Sequence, residues 1–439
     1  MSSRFTNAQK LIWSGQVMHP GSPLYNMIHV FRIDGVIDPV LFETAVSAVV
    51  RASDILNSAL VTDGDGARLV GSSARKFYEY VDLSAEHNTE AALVDWLGQR
   101  KTSELKLEDS LIDCVLIRLS SSSSAFYFNT HHLAMDAWAT GLFFRLVGDS
   151  YQNALDGTAD EPTVLPYEAL IEFEEKLVGT ARYDAAASFW DSTVAASFQT
   201  PNLYGRETSI QTTSSVRRKL RLGSERVSRL RALSEYDEVK GFTEELAFHA
   251  VLLSVLGVFV SRVSGVTDFA ISMPTANRLT PRFRNTIGSF AELFPVLLSI
   301  DPAKSFLDTV ADIRSRSAES FRHALPGLGR PELNRRSSVV LNYVNASIGS
   351  FAGRKVETEW IHSDHFDSNH LVRLHAHDFD QTGDLTLLFD FAGDAFSKEM
   401  QDDAMEQFLM LFDAFVLDPT QPVGKPSLVK DRDLPEGAP

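Results

Sequence analysis

The sequence predicts an α/β (α+β) protein of two lobes, and three observations carry that expectation. Segments of helical period alternate with segments of strand period along the whole chain, the pattern of helices packed on mixed sheets rather than of a bundle or a β-sandwich. At 439 residues the chain exceeds one compact core and fits two domains of ordinary size or one duplicated architecture. A hydrophobic fraction of 44% beside a charged fraction of 23% describes a folded, water-facing protein and excludes disordered, collagen-like and membrane classes.

The elements follow in order. Residues 8–17 read as a helix and Met27 to Ile33 as a strand closed by a turn at Asp34-Gly35. Pro39 to Ala52 is an amphipathic helix, its Val40, Leu41, Ala45, Val46, Val49 and Val50 sharing a stripe. Leu111 to Leu119 and Ala125 to Thr130 are strands joined by Ser120 to Ser124, read as an exposed hairpin turn in preference to a flexible binding loop. Helical period resumes over Trp138 to Leu155, so His131 to Ala137 lies on a strand-to-helix loop, a common place for chemistry. The polar, proline-containing stretch Asp156 to Pro166 marks a domain junction, giving lobes 1–165 and 166–439. The second lobe begins with Glu168, Glu172, Glu174 and Glu175, read as a solvated helix face. Its later landmarks are a helix over Thr243 to Ser264, a strand Asp268 to Met273 and an apolar segment from Gly288 to Ile300. Strands at Ser338 to Asn345 and Leu385 to Phe391 and a closing helix Lys398 to Val416 complete it. The longest apolar stretch, Leu246 to Val260, is shorter than the roughly 20 residues a bilayer requires and reads as a buried helix.

Charge and cysteine content narrow the function. A net charge of −17 opposes nucleic-acid binding. One cysteine, Cys114, excludes an internal disulfide framework and a multi-cysteine zinc site and suits a reducing compartment. The first residues lack a cationic region followed by an apolar run, so a cytoplasmic, monomeric protein is expected.

The strongest chemical feature is His131-His132-Leu133-Ala134-Met135-Asp136-Ala137. Adjacent histidines at a strand end point to opposite faces, so one faces a cavity while the other packs. A neutral imidazole is suited to take a proton from an amine or hydroxyl attacking a carbonyl. Asp136 either touches that ring or holds the loop through a cation, and the first N–H groups of the following helix, at Ala137 and Trp138, face a developing oxyanion. No G-x-S-x-G elbow, phosphate loop or dinucleotide fingerprint occurs.

This loop resembles the HHxxxDG motif of nonribosomal peptide synthetase condensation domains, relatives of chloramphenicol acetyltransferase. Phe5 to Trp13 is similar to their S/T-x-A-Q-x-x-x-W segment, and Ser22-Pro23-Leu24-Tyr25-Asn26 to the S-x-x-Y-N that follows. Ile287-Gly288-Ser289-Phe290 resembles the start of I-G-x-F-V-N-T; Leu341-Asn342-Tyr343, Leu385-Leu387-Phe389-Asp390 and Asp418-Pro419 match later segments. These matches span nearly the whole chain in order. There are departures: Ala137 replaces the glycine, so its φ is expected to be negative; Ser53 to Asn57 replaces H-E-x-L-R; and Ala291-Glu292-Leu293 replaces V-N-T.

The resemblance implies two acetyltransferase-like lobes in a V-shaped pseudo-dimer, with the histidine loop midway along a tunnel between them. It implies a freestanding condensation enzyme joining an acyl thioester, presented by an acyl or peptidyl carrier protein on its phosphopantetheine arm, to a carrier-bound or small-molecule amine or alcohol, with no other cofactor and no metal. A coenzyme A-dependent acyltransferase and a non-catalytic recruiting module are the alternatives. His132 is then the catalytic histidine, with His131, Asp136 and Arg278 as its structural support, Arg278 pairing with Asp136 across the lobes. Glu292, Asn342, His365 and His370 are candidates for the tunnel wall. His362, His365, His370, His375 and His377 crowd one stretch, but in a spacing foreign to zinc sites. The basic run Arg217 to Arg231 reads as solvated surface, with steering of an acidic carrier as the second reading.

Overall fold

The alternating periods resolve into two mixed sheets with helices against them, and a small antiparallel sheet of order β1-β4-β3, in a computed structural model, which describes residues 2–3, 5–63, 66–71, 77–158, 160–206, 212–346 and 348–429. The first part of the chain runs β1 (Ser2–Ser3), α1 (Asn7–Met18), β2 (Asn26–Asp34), α2 (Pro39–Ala52), β3 (Ser58–Asp63), β4 (Gly66–Gly71), β5 (Tyr78–Asp82), α3 (Thr89–Arg100), β6 (Ile112–Arg118), β7 (Ser123–His131) and α4 (Ala137–Leu155). After the polar junction come α5 (Glu168–Leu177), α6 (Ala181–Ala195), β8 (Ser215–Arg221), α7 (Ser224–Leu233), α8 (Glu244–Ser264), β9 (Asp268–Thr275), β10 (Glu292–Ser299), α9 (Phe306–His323) and α10 (Pro331–Asn334). The chain closes with β11 (Val339–Val344), β12 (Val356–Ile361), β13 (Val372–His377), β14 (Thr386–Ala392) and α11 (Lys398–Leu417).

One sheet has the order β12-β2-β7-β6-β5, with β5 and β6 parallel and the other pairs antiparallel. Both of its faces are covered, as its nearly unbroken burial requires. Met27, Phe31 and Ile33 of β2 join the core formed with α2 and α4, while Ile28 and Val30 pack with Leu93 and Leu97 of α3. This is the two-residue alternation of a strand. Helix α2 starts where its sequence dictates, with the Asp38 carboxylate accepting the N–H groups of Val40 and Leu41 and Pro39 in the first turn.

The other sheet has the order β10-β9-β11-β13-β14-β8. Its inner face packs on α8, the expected buried helix. That helix is long and apolar enough to cross a membrane by composition alone, and 78% of its most apolar 18-residue stretch is buried inside the protein, where its side chains form much of the second core. Along β13, Val372, Leu374 and Ala376 are in that core, so Arg373, His375 and His377 share the opposite face.

The later part of the chain returns to the first sheet. Strand β12 adds to its edge, with Trp360 opposite His29, and Tyr167, Phe283, Phe290 and Phe351 enter the first core. Glu174 corrects the reading of α5 as solvated along its acidic residues, because its carboxylate turns inward to accept the N–H of Asn7 at 2.9 Å. Asp54, one of the departures from the family pattern, caps this helix from outside by accepting the N–H groups of Tyr167 and Glu168.

Candidate active site

The histidine loop is held from both directions. Strand β7 ends at His131, opposite Asn26 of β2, and the His132 N–H bonds the Tyr25 carbonyl at 2.8 Å. Asp136 then caps α4 by accepting the Ala139 N–H at 2.9 Å. Ala137 is the first residue of that helix and is absent from the positive-φ residues, so the backbone does not call for glycine there. The N–H groups of Ala137 and Trp138 have no protein acceptor among the described residues.

The two histidines separate as the strand pleat requires. His131 is buried; its Nδ1 accepts the Leu133 N–H at 3.2 Å, which puts the proton on Nε2, 3.2 Å from Gln16 Oε1. Burial lowers its pKa to about 3. His132 is half-buried, and its Nδ1 lies 3.3 Å from the Ser289 hydroxyl. Burial lowers its pKa as well, reinforced by the Arg373 charge and opposed by Asp136 and by the carbonyls of His132 and Met135. The ring is therefore neutral near pH 7.

Asp136 and Arg278 join the lobes as expected, with Nη2 donating to Oδ1 at 3.0 Å and both side chains about 95% buried, at 6% and 5% exposure. Both partners bond the backbone as well, while the Arg278 Nε–H has no acceptor among the described residues. Asp136 Oδ2 accepts the Phe290 N–H, and Arg278 donates to the carbonyls of Phe283 and Thr286 while lying 4.0 Å over the Phe290 ring. Segment 283–290 is thereby pinned against the histidine loop, and Gly288 permits this approach: a Cβ there would sit 2.0 Å from the Tyr167 ring. Trp138 is 40% exposed and bridges to the same segment through an Nε1 bond to the Arg284 carbonyl. Ser289, the neighbour of His132, was not among the residues expected from sequence, although the I-G-S-F segment contained it.

None of the four candidate tunnel residues hydrogen-bonds His132 among the described residues. Glu292 is buried with its carboxylate taken by the N–H groups of Gly327 and Gly329 and by Asn7 Nδ2. Burial raises its pKa to about 7, against the two backbone bonds, which lower it. Asn342 donates to His375 Nδ1 at 3.1 Å, and His375 Nε2 donates to Asp390 Oδ2 at 3.1 Å. Asp390 is held in turn by Arg217 at 2.6 and 2.7 Å. Burial would raise its carboxyl, but Arg217 and the histidines hold it well below the usual range. His365 bonds Thr213 and His362 bonds Ser215, and no group of three or more metal ligands forms among the described residues. His370 is buried beside Arg373, a residue sequence reasoning missed.

The basic run is mostly paired: Arg217, Arg218, Arg226, Arg229 and Arg231 each meet a carboxylate. Lys219 and Arg221 make no ion pair among the described residues and line a cavity of about 540 Å³ with Arg217, Trp360, His362 and His377. This cavity lies between β8, β13 and β14 of one sheet and β12 on the edge of the other. Its lining stops short of His132. The segment leaving it at His362 continues to Asp367 and Arg373, whose charges act on Tyr25 and, for Arg373, on His132.

A family model described as Condensation domain matches residues 3–434. Phosphinothricin tripeptide synthetase PhsC of Streptomyces viridochromogenes is 25% identical over 328 residues, covering 73% of this chain and 30% of that protein. Surfactin synthase subunit 1 of Bacillus subtilis is 22% identical over 446 residues, covering 97% of this chain and 12% of that protein. The chain thus spans under a third of the length of these relatives. A mutant starter condensation domain of rhizomide synthetase RzmA in complex with C8-CoA superposes with a TM-score of 0.85 at 19% identity, covering 98% of each chain. The first condensation domain of the calcium-dependent antibiotic synthetase in complex with a substrate analogue gives 0.85 at 20% identity, covering 98% of this chain and 99% of that one.

Proposed function

The chain belongs to the condensation domain family, and from that premise we propose that it joins an acyl or aminoacyl thioester to an amine or alcohol in nonribosomal peptide-type biosynthesis. The donor arrives on the phosphopantetheine arm of an acyl or peptidyl carrier protein, in a cytoplasmic setting, at the seam of lobes 1–165 and 166–439. The observation that carries the reading is the state of His132: neutral, half-buried, engaged through one ring nitrogen, and fixed in a loop that both lobes hold.

With Nδ1–H donating to Ser289 Oγ, Nε2 keeps its lone pair. It takes the proton of the attacking amine or hydroxyl as the new C–N or C–O bond forms. The C–S bond then breaks, and the proton passes to the departing thiolate. The free N–H groups of Ala137 and Trp138 at the start of α4 oppose the charge on the carbonyl oxygen. Thioester aminolysis is downhill, so alignment and proton removal are the protein's main contributions. His131, Asp136 and Arg278 hold the loop and take no part in proton transfer.

Intact-mass analysis of product tests this, after mixing the protein with a loaded carrier and a panel of amines and alcohols. Transfer is expected, falling by about 10²- to 10⁴-fold in His132→Ala. Transfer that survives unchanged in that variant, or none from any donor, overturns it. Coenzyme A thioesters run in parallel test the second donor class, which the C8-CoA complex of the structural relative favours.

A further inference from the structure

The His132 ring closes a hydrogen-bonded circuit that runs through four parts of the chain. Its Nδ1 lies 3.3 Å from Ser289 Oγ. The Ser289 carbonyl accepts the Tyr167 hydroxyl at 2.6 Å, and Tyr167 Oη lies 3.0 Å from Thr6 Oγ1. Thr6 caps α1 and forms a reciprocal box with Gln9: Thr6 Oγ1 accepts the Gln9 N–H at 3.3 Å, and Gln9 Oε1 accepts the Thr6 N–H at 3.1 Å. Gln9 Nε2 then donates at 2.8 Å to the carbonyl of Leu133, the residue after His132. Thr6, Gln9, Tyr167 and Ser289 are each no more than 2% exposed.

The direction of the bonds is fixed. A carbonyl only accepts, so the single phenolic proton of Tyr167 goes to Ser289, and Thr6 donates to Tyr167 Oη. Burial pushes the phenol well above its usual range, so that proton stays in place. The ring itself is wedged. It fills the space where Gly288 lacks a Cβ, meets Phe290 edge-on with centroids 5.8 Å apart, and has its backbone N–H held by Asp54 at 2.8 Å.

What this achieves is a grip on one peptide from both ends. Asp136 Oδ2 accepts the Phe290 N–H at 3.0 Å, while Tyr167 holds the Ser289 carbonyl of the same peptide unit. One bond fixes a point; two on opposite sides fix the plane, and with it the direction in which the Ser289 side chain leaves the backbone. The Asp136–Arg278 pair alone does not supply the second grip.

We propose that Tyr167 is a positioning residue for the transfer reaction: oriented by Thr6, its hydroxyl fixes the Ser289 peptide and so holds the Ser289 hydroxyl on the His132 ring. For what that ring does, this rests on the condensation reading. Tyr167 makes no hydrogen bond to His132 among the described residues and acts only through Ser289.

Side-chain nitrogen NMR of the ¹⁵N-histidine-labelled chain, without donor or acceptor, tests this, with the His132 signals assigned by their loss in His132→Ala. In Tyr167→Phe those signals are expected to move in the direction they take in Ser289→Ala, and Tyr167→Phe is expected to add nothing further in the Ser289→Ala background. With a donor and acceptor that the chain joins, kcat of Tyr167→Phe should fall about tenfold at unchanged KM, as for lost alignment rather than lost binding. Unmoved His132 signals in folded Tyr167→Phe overturn the proposal. A shift of equal size in the Ser289→Ala background overturns it as well, since the effect would then not pass through Ser289, and so does a moved ring with native kcat. If Tyr167→Phe does not fold, 3-fluorotyrosine placed at position 167 alone, which alters the strength of that donor and little of its shape, takes its place with the same outcomes. The NMR arm needs no turnover: the expected shifts in a chain that transfers nothing support the positioning role and count against the condensation reading instead.

Discussion

Two buried Arg–Asp pairs sit beside two histidines, one buried and one half-buried, and they treat those histidines in opposite ways. On the polar face of the second sheet, Arg217 grips Asp390, Asp390 accepts from His375 Nε2, and Asn342 donates to His375 Nδ1. Both ring nitrogens are engaged, and Trp360 packs on the ring with centroids 4.8 Å apart. At the seam of the lobes, the Asp136 oxygens go to the Arg278 guanidinium and to the N–H groups of Ala139 and Phe290, and none reaches the His132 ring. The first pair immobilises an imidazole. The second immobilises the loop around an imidazole and leaves one ring nitrogen free for chemistry. Between these two rings the difference is the second nitrogen, engaged in His375 and without a hydrogen-bond partner among the described residues in His132.

Breaking either pair tests this most severely. Asp136→Ala strands Arg278 at 5% exposure, and Asp390→Ala strands Arg217 at 11%. Removing one partner of a buried pair costs about 3–5 kcal/mol, so urea or thermal unfolding should show both variants destabilised by that order. Should Asp136→Ala keep its midpoint while Asp390→Ala loses it, the seam pair is not the clamp described.

The histidines themselves give the next largest effect. His375→Ala removes two hydrogen bonds and leaves Asp390 and Asn342 partly unsatisfied, at about 1–3 kcal/mol, whereas His132→Ala should leave the unfolding midpoint within about 1 kcal/mol while removing transfer. A matching pH dependence follows. His29, His131, His370 and His377 are held at about 3, and His249 and His362 at about 4, chiefly by burial. These folded values lie below the unfolded histidine pKa of about 6.5, so their stabilisation is complete above that pH and is lost as pH falls toward 3. Glu292, raised to about 7, acts oppositely and destabilises the fold as pH rises toward 7. Six groups outweigh one, and Tm should fall between pH 7 and pH 5. A Tm that rises over that interval contradicts the neutral burial of these rings.

The sequence made the seam legible and the polar face opaque, for a physical reason. His131, His132, Asp136 and Arg278 belong to short segments whose spacing and resemblance are local, and α2, α8 and β2 announce themselves by period and caps. His375 and Asp390 meet only through the β13–β14 ladder, and Asp390 and Arg217 only through β14–β8. Such pairings depend on register, which a single sequence does not specify over long separations. Arg373 was missed for the same reason, because its place opposite Asp390 follows only from the β13–β14 register. Glu292 misled because a carboxylate beside an expected tunnel looks like a substrate contact until Gly327 and Gly329 are seen to occupy it.

The smallest expected effect concerns the residue where the histidine loop departs from the family pattern. Ala137 begins α4 with the Asp136 cap directly before it. Glycine is not needed for dihedral freedom there, and in a helix it costs up to about 1 kcal/mol relative to alanine through backbone entropy. Ala137→Gly should therefore lower stability by no more than about 1 kcal/mol. It should leave transfer within a factor of about two, since the helix start, the Asp136 cap and the Ser289 contact do not involve the Ala137 side chain. A large gain in transfer on Ala137→Gly would mean that the methyl group occupies space the substrate needs. The seam would then be as filled as the polar face, and the free nitrogen of His132 would not be enough to mark it as the working histidine.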